Sequence, residues 1–234
     1  MQITYLAHSG FLLEWEHCYW IFDYYKGEIP TLNPHKEVFI FCSHSHEDHF
    51  NPEIFNLLSY HPSTTYFFSD EIKRICEKKH NVQYMKNRAA LHLITSSGEV
   101  MNIRTLQSTD LGCAFFIEYN NKVIYHAGDL HWWYWAGEPD SWNKQMTEDY
   151  QKEVSYLEGK HIDLAFTPLD PRQEKDYALG INYFLEHTHT KHVFPMHFWD
   201  NYQIMEQYLQ EYSIPEHTTF NTITQNGQMF DIVL

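Results

Sequence analysis

Between Cys42 and His49 the chain reads Cys-Ser-His-Ser-His-Glu-Asp-His, so His44, His46, Asp48 and His49 fall within six residues. On an extended backbone alternate residues point the same way, which puts His44, His46 and Asp48 on one side. A turn into a helix then brings His49 round to the same cavity. Asn51-Pro52-Glu53 supplies that helix start, with Asn51 as N-cap and Pro52 at the first helical position. Neutral imidazoles and carboxylates gathered this closely are ligands for a first-row divalent metal. A fold that carries this segment must therefore set a strand end, a tight loop and a helix start around one cavity.

Composition bounds the rest. At 234 residues, 43% hydrophobic and 17% aromatic, the chain is long enough for a substantial core and makes heavy use of aromatic packing. A formal net charge of −15 argues against a nucleic-acid surface, which needs clustered Lys and Arg, and against anionic membranes. The four cysteines, Cys18, Cys42, Cys76 and Cys113, form no C-x-x-C pair. Cys42 and Cys113 lie in apolar strand-like runs, where a buried reduced thiol is expected. No run approaches the roughly 18 apolar residues of a membrane span, and the chain enters a strand pattern at once. The expectation is a cytoplasmic protein acting on a small molecule, its oligomeric state open.

Periodicity predicts strands over Gln2–Leu6, Phe11–Trp15, Tyr19–Phe22, Glu37–Cys42 and Thr64–Phe68, with helices over Pro52–Tyr60 and Asp70–Lys79. Further strands are predicted at Leu91–Thr95, Val100–Leu106, Cys113–Tyr119 and Lys122–His126, the last pair joined by a two-residue Asn120-Asn121 turn. The final third alternates: helix Thr147–Leu157, strand Asp163–Phe166, helix Glu174–His187, strand His192–Phe194, helix Gln203–Tyr212 and strand Gln228–Val233. Two successive halves, each strand-rich and then helical, suggest one α+β domain over residues 1–234, with sheets inside and helices outside.

Three segments carry a family resemblance. His44-x-His46-x-Asp48-His49 at a strand end, Tyr125-His126-Ala127-Gly128-Asp129, and Phe194-Pro195-Met196-His197 match in order and type the motifs of the metallo-β-lactamase-fold superfamily. The chain resembles that superfamily over nearly its whole length, which implies a four-layer αβ/βα sandwich with one or two metal ions between sheet edges. Ala7-His8-Ser9-Gly10-Phe11-Leu12-Leu13-Glu14 is similar to the branch containing ascorbate-6-phosphate lactonase. The resemblance implies that His44 and His46 bind a first metal, that Asp48, His49 and His197 bind a second, and that Asp129 bridges them. Zn²⁺ is the foremost candidate, with Mn²⁺ or Fe²⁺ as alternatives.

One departure stands out. Such proteins usually give the first metal a third histidine from the segment before the central hairpin, and Leu106–Gly112 here contains none. Asp110 can replace it as an oxygen ligand, Ser108 can face the site, or the first metal is weak or absent. Asp23, at a strand end, is expected to stand behind the histidine loop as a hydrogen-bond partner, and His8 either does likewise or packs in the core. His126 is expected to point away from the site. His131, Trp132, Trp133, Tyr134 and Trp135 either pack in the core or at an oligomer interface, or line the pocket as its wall or lid. Arg172 either pairs with an anionic substrate group or forms a plain salt bridge with Asp170. His187, His189 and His192 read as a solvated or helix-capping group. The leading functional expectation is a hydrolase that attacks an ester, lactone, phosphoester or amide with metal-activated water, Asp48 assisting as proton acceptor. A di-iron-type oxidoreductase and a non-catalytic metal-binding protein are the alternatives.

Overall fold

The computed structural model describes residues 1–76 and 81–234. Its strands are β1 (Gln2–Ala7), β2 (Gly10–Glu14), β3 (Cys18–Phe22), β4 (Glu37–Cys42), β5 (Thr64–Ser69), β6 (Val82–Met85) and β7 (Ala90–Ile94) in the first half. The second half supplies β8 (Val100–Gln107), β9 (Cys113–Tyr119), β10 (Lys122–His126), β11 (His161–Pro168), β12 (His189–Met196), β13 (Thr219–Phe220) and β14 (Met229–Asp231). Helices are α1 (Ile54–Leu57), α2 (Asp140–Ser155), α3 (Leu179–His187) and α4 (Gln203–Glu211).

These strands form two mixed seven-stranded sheets, ordered β14-β1-β2-β3-β4-β5-β6 and β13-β12-β11-β10-β9-β8-β7. Their facing surfaces bury one aromatic core. Phe11 packs on Phe166 at 4.2 Å between ring centroids, and Phe41 meets Phe115 edge-on at 5.5 Å. Outside the first sheet, Ile54, Leu58 and Ile72 cover Leu12, Ile21 and Ile40. Outside the second, α3 places Phe184 flat against Tyr125 at 5.0 Å, while Tyr150 and Val154 of α2 are buried nearby. Helix, sheet, sheet, helix is the four-layer α+β sandwich that the strand-then-helix halves imply. Strands β3 and β4 are buried along almost their whole length, as parallel strands covered on both faces require.

This topology positions the site. Parallel pairing of β3 with β4, of β10 with β11 and of β11 with β12 aligns these strands in each sheet, and the carboxyl ends of all five meet at one rim. There β3 delivers Asp23, β4 delivers the His44–His49 loop, β10 delivers Asp129, β11 delivers Asp170, and β12 delivers His197.

The described structure corrects several boundaries. The helix expected over Pro52–Tyr60 is a single α-turn, Ile54–Leu57. Asn51 does accept a hydrogen bond from the Glu53 amide at 2.9 Å, but it caps a turn ahead of that helix. The helix expected over Asp70–Lys79 is a 3₁₀ segment, Asp70–Arg74, and Glu77 to Lys79 lie outside the described residues. Helix α2 starts seven residues before Thr147, directly after Pro139, whose fixed φ suits a helix entry. The predicted Glu174–His187 helix is split into a 3₁₀ segment, Pro171–Asp176, and α3, with Glu174 at φ +52° marking the kink. Two short strands that were not expected, β6 and β13, pair in parallel with β5 and β12. The Asn120-Asn121 turn has φ +50° and +57°, the left-handed pair of a type I′ hairpin. Cys18, Cys42 and Cys113 are buried thiols. Among the described residues no helix is long and apolar enough to cross a membrane.

Two glycines bring the loops together on Ser43. Gly112, at φ +72°, would place a Cβ 2.0 Å from the Ser43 carbonyl oxygen, and Gly128, at φ +52°, one 2.5 Å from Ser43 Cβ. Gly98 has a comparable φ of +84° with nothing within 4 Å. Gly128→Ala is therefore expected to cost about 2–4 kcal/mol, combining backbone strain with overpacking. Gly98→Ala carries strain alone and should cost about 1 kcal/mol. Denaturant midpoints check this, and equal losses for the two variants would refute the close-approach argument.

Candidate metal centre

Three imidazoles around the cavity are each held by one nitrogen and present the other. His49 Nδ1 donates to Asp23 Oδ2 at 2.8 Å. The Ser43 hydroxyl donates to the same Asp23 oxygen at 2.6 Å and thus accepts from His44 Nδ1 at 2.9 Å. His197 Nδ1 donates to Asp170 Oδ2 at 2.9 Å. This leaves Nε2 of His44, His49 and His197 facing inward, the orientation that a carboxylate or hydroxyl partner imposes on metal-binding imidazoles.

Asp129 lies between them. Its Oδ1 is 3.1 Å from His49 Nε2 and 3.4 Å from His197 Nε2, while its Oδ2 is 3.5 Å from His44 Nε2. One carboxylate oxygen thus serves each of two groups of donors. The first comprises His44, His46, Asp110 and Asp129; the second comprises His8, Asp48, His49 and His197. Within each group the donor atoms lie within 4.8 Å of one another. Ligands about 2.1 Å from a shared tetrahedral ion would sit roughly 3.4 Å apart, so these separations suit a common cation.

The donor chemistry fits a metal as well. Buried His49 Nε2 and Asp129 Oδ1 lie 3.1 Å apart and His8 Nε2 lies 3.2 Å from Asp48 Oδ2, in each case without hydrogen-bond geometry, which is costly unless something else satisfies them. His44 Nε2 and His46 Nδ1 approach to 3.0 Å, and two lone pairs at that distance need a proton or a cation between them. Burial lowers the His44 pKa to about 3 and the His8 pKa to about 4, so both rings are neutral ligands near neutral pH. Burial alone would raise the Asp129 carboxyl, but His49, His197 and His44 outweigh it and hold it well below its ordinary range. Asp110 is pushed up by burial and by the Asp129 charge, a repulsion that a shared cation relieves.

The sequence-predicted residues are distributed as follows. His44, His46, Asp48, His49, Asp129 and His197 converge. Asp110 joins them, with Oδ2 3.7 Å from His46 Nδ1; Ser108 instead accepts from the Asp110 amide through its hydroxyl. His8 presents Nε2 to Asp48 Oδ2 at 3.2 Å. Asp23 is fully buried behind the loop and also accepts from the Ser43 amide at 2.7 Å. His126 faces away, stacked on Phe22, with Nε2 donating to the Ser9 carbonyl at 2.9 Å. His187 caps its own helix through Tyr183, and His192 contacts the Val233 carbonyl, and neither joins the donor groups.

The pocket wall is a partial correction. Trp133 lines the cavity with Trp135, Trp199 and Arg172. His131 and Trp132 do not line it. His131 is buried against Gln173 Oε1 at 2.7 Å and against Gly180, and Trp132 packs on Tyr150 and Tyr183. Of the five, Trp133 and Trp135 reach the cavity. Sequence reasoning missed Ser43, Trp199 and the bond from His197 to Asp170; proximity of Trp199 to His197 in the chain was the available signal.

Backbone strain concentrates here. His8, Asp23, His197, Trp199 and Asp200 all have positive φ without being glycine. Such conformations cost of order 1–3 kcal/mol each and persist where surrounding contacts over-determine them. Asp170→Asn is expected to weaken metal binding about 10–100-fold by loosening His197; competition with a chelator measures it, and affinity within twofold of wild type would contradict the assignment.

Comparison with known proteins agrees with this architecture. The profile of the Beta-lactamase superfamily domain matches residues 2–134. A "UPF0173 metal-dependent hydrolase" of Desulforamulus reducens is 31% identical over 147 residues, covering 55% of this chain and 62% of that protein, so the match spans less than two thirds of the relative. Among solved structures, the metallo hydrolase Igni18 of Ignicoccus hospitalis superposes with a TM-score of 0.60 at 15% identity, covering 99% of both chains. The metallo-β-lactamase fold protein YhfI of Bacillus subtilis gives 0.61 at 14% identity, covering 98% of both. At those identities the structural likeness speaks for the fold alone. With the profile spanning more than half its length, the chain belongs to the β-lactamase superfamily.

Proposed function

We propose that this protein is a metal-dependent hydrolase that cleaves an ester, lactone, phosphoester or amide of a small molecule. The observation that carries the reading is the pair of donor groups on either side of Asp129, whose Oδ1 lies 3.1 Å from His49 Nε2 and whose Oδ2 lies 3.5 Å from His44 Nε2. The related hydrolase of Desulforamulus reducens supports it. His44, His46, Asp110 and Asp129 would hold one divalent ion, and Asp48, His49, His197 and Asp129 a second, with His8 beside Asp48. Two imidazoles with carboxylates suit Zn²⁺ foremost, and the oxygen-rich first group also suits Mn²⁺ or Fe²⁺.

Bound divalent metal supplies water acidified to near neutral pH and a Lewis acid for the developing oxyanion. The chain's residues do the rest. Asp48 is the partly exposed carboxylate of the second group, its carboxyl held below the ordinary range because His8, His49 and His197 outweigh burial. It is positioned to accept a proton from attacking water at Oδ2, and His8 fixes that oxygen at 3.2 Å. Trp133 donates Nε1–H to the Asp129 carbonyl at 3.0 Å, which holds an indole against the reacting end of the cavity and excludes bulk water.

The test is a panel of aryl ester, lactone and phosphodiester substrates assayed with purified protein, before and after chelation and after Zn²⁺ or Mn²⁺ is restored. Activity should vanish with chelation and return with metal. His46→Ala and Asp129→Ala should each lose on the order of a hundredfold or more. Full activity in either variant, or in chelated protein, would sink the proposal. An iron absorption spectrum with persistent silence on every substrate would favour the oxidoreductase alternative.

A further inference from the structure

The cavity in front of the donor groups has a volume of about 310 Å³. Its lining combines the carboxylates of Asp48, Asp110 and Asp129 with the indoles of Trp133, Trp135 and Trp199 and a single guanidinium, Arg172. Among the described residues lining the cavity, Arg172 is the one Lys or Arg.

Arg172 is tied down by one edge only. Its backbone amide donates to Asp170 Oδ1 at 2.9 Å, and its Nε lies 3.0 and 2.9 Å from the two Asp170 oxygens, with Nη2 closing the fork on Oδ2. A guanidinium has five N–H donors in a fixed plane. Nε–H and one Nη2–H face Asp170, so the second hydrogen of Nη2 and the adjacent hydrogen of Nη1 form an outer edge with no hydrogen bond among the described residues. The side chain is 49% exposed although its partner Asp170 is fully buried. Trp199 and Trp135 flank the guanidinium, with 4.6 and 5.8 Å from the ring centroids to its carbon, which keeps its plane and therefore its outer edge fixed.

The geometry points to an oxyanion-bearing substrate: we infer that the outer edge of Arg172 binds a carboxylate or phosphate of the substrate while the scissile group lies toward Asp48 and Asp129. This rests on the hydrolase reading and narrows it to small anionic esters or lactones. A planar two-donor edge matches a carboxylate or phosphate bidentately. A cationic substrate is disfavoured because Arg172 already occupies the indole faces that would attract it. A volume near the lower end of small-molecule sites, about 300–1,000 Å³, limits the rest of the substrate to a compact body that the indoles can cover. The salt bridge to Asp170 and the anion role are thus compatible, because they use different edges of one guanidinium.

Calorimetric titration of Zn²⁺-loaded protein with benzoate and with phenylphosphonate tests the inference, with benzamide as the neutral counterpart. Wild type should bind at least one oxyanion more tightly than benzamide. Arg172→Met should weaken that oxyanion at least about twentyfold while Arg172→Lys, which keeps the charge but loses the fork, weakens it about three- to tenfold. A loss confined to one probe names the group as carboxylate or phosphate. Both variants binding both oxyanions within twofold of wild type would overturn the inference, the anions then resting on the metal alone. Hydrolysis of neutral p-nitrophenyl acetate by wild-type protein reports on the hydrolase reading separately, so the failure of one is not mistaken for failure of the other.

Discussion

The Asp23 carboxylate, buried at the end of β3, accepts from the Ser43 amide, the Ser43 hydroxyl and His49 Nδ1. Through Ser43 it also sets the ring of His44. A buried charge is tolerated only when hydrogen bonds replace its lost hydration, and here those bonds are the ones that aim two imidazoles at Asp129. The loop that follows β4 therefore has its conformation dictated from behind by one residue of the neighbouring parallel strand. Gly112 and Gly128 complete the arrangement by letting two further loops close on Ser43 without a Cβ in the way.

Asp170 repeats this logic on the second sheet. It holds His197 with one oxygen and anchors Arg172 with both. The orientation of an imidazole and the orientation of the guanidinium thereby depend on one fully buried carboxylate. The two sheets contribute symmetrically: a carboxylate at the carboxyl end of a strand behind each set of histidines, and Asp129 between them.

Much of this was legible in the chain. The His44–His49 spacing already places four donors by strand and turn geometry, and motif order adds Asp129 and His197. The missing histidine before the central hairpin singled out Asp110, and the structure sets it beside His46. What stayed hidden depends on contacts distant in sequence. His197 and Asp170 are 27 residues apart and meet only because β11 and β12 pair in a particular register. Strands β6 and β13 are too short to stand out by pattern, and the first turns of α2, Asp140–Met146, carry only Trp142 and Met146 as apolar residues after Pro139. The aromatic run His131–Trp135 is divided: Trp133 and Trp135 line the pocket, while His131 packs on Gln173 and Trp132 on Tyr150 and Tyr183.

The account stands on the two donor groups being occupied by ions that share Asp129. Anomalous diffraction at the zinc, iron and manganese edges, from crystals grown without chelator, addresses this directly. The account predicts one peak among His44, His46, Asp110 and Asp129 and another among Asp48, His49 and His197, with Asp129 reaching both. Crystals with no anomalous peak at this rim after soaking with each metal, or with a metal bound by other residues, would contradict it.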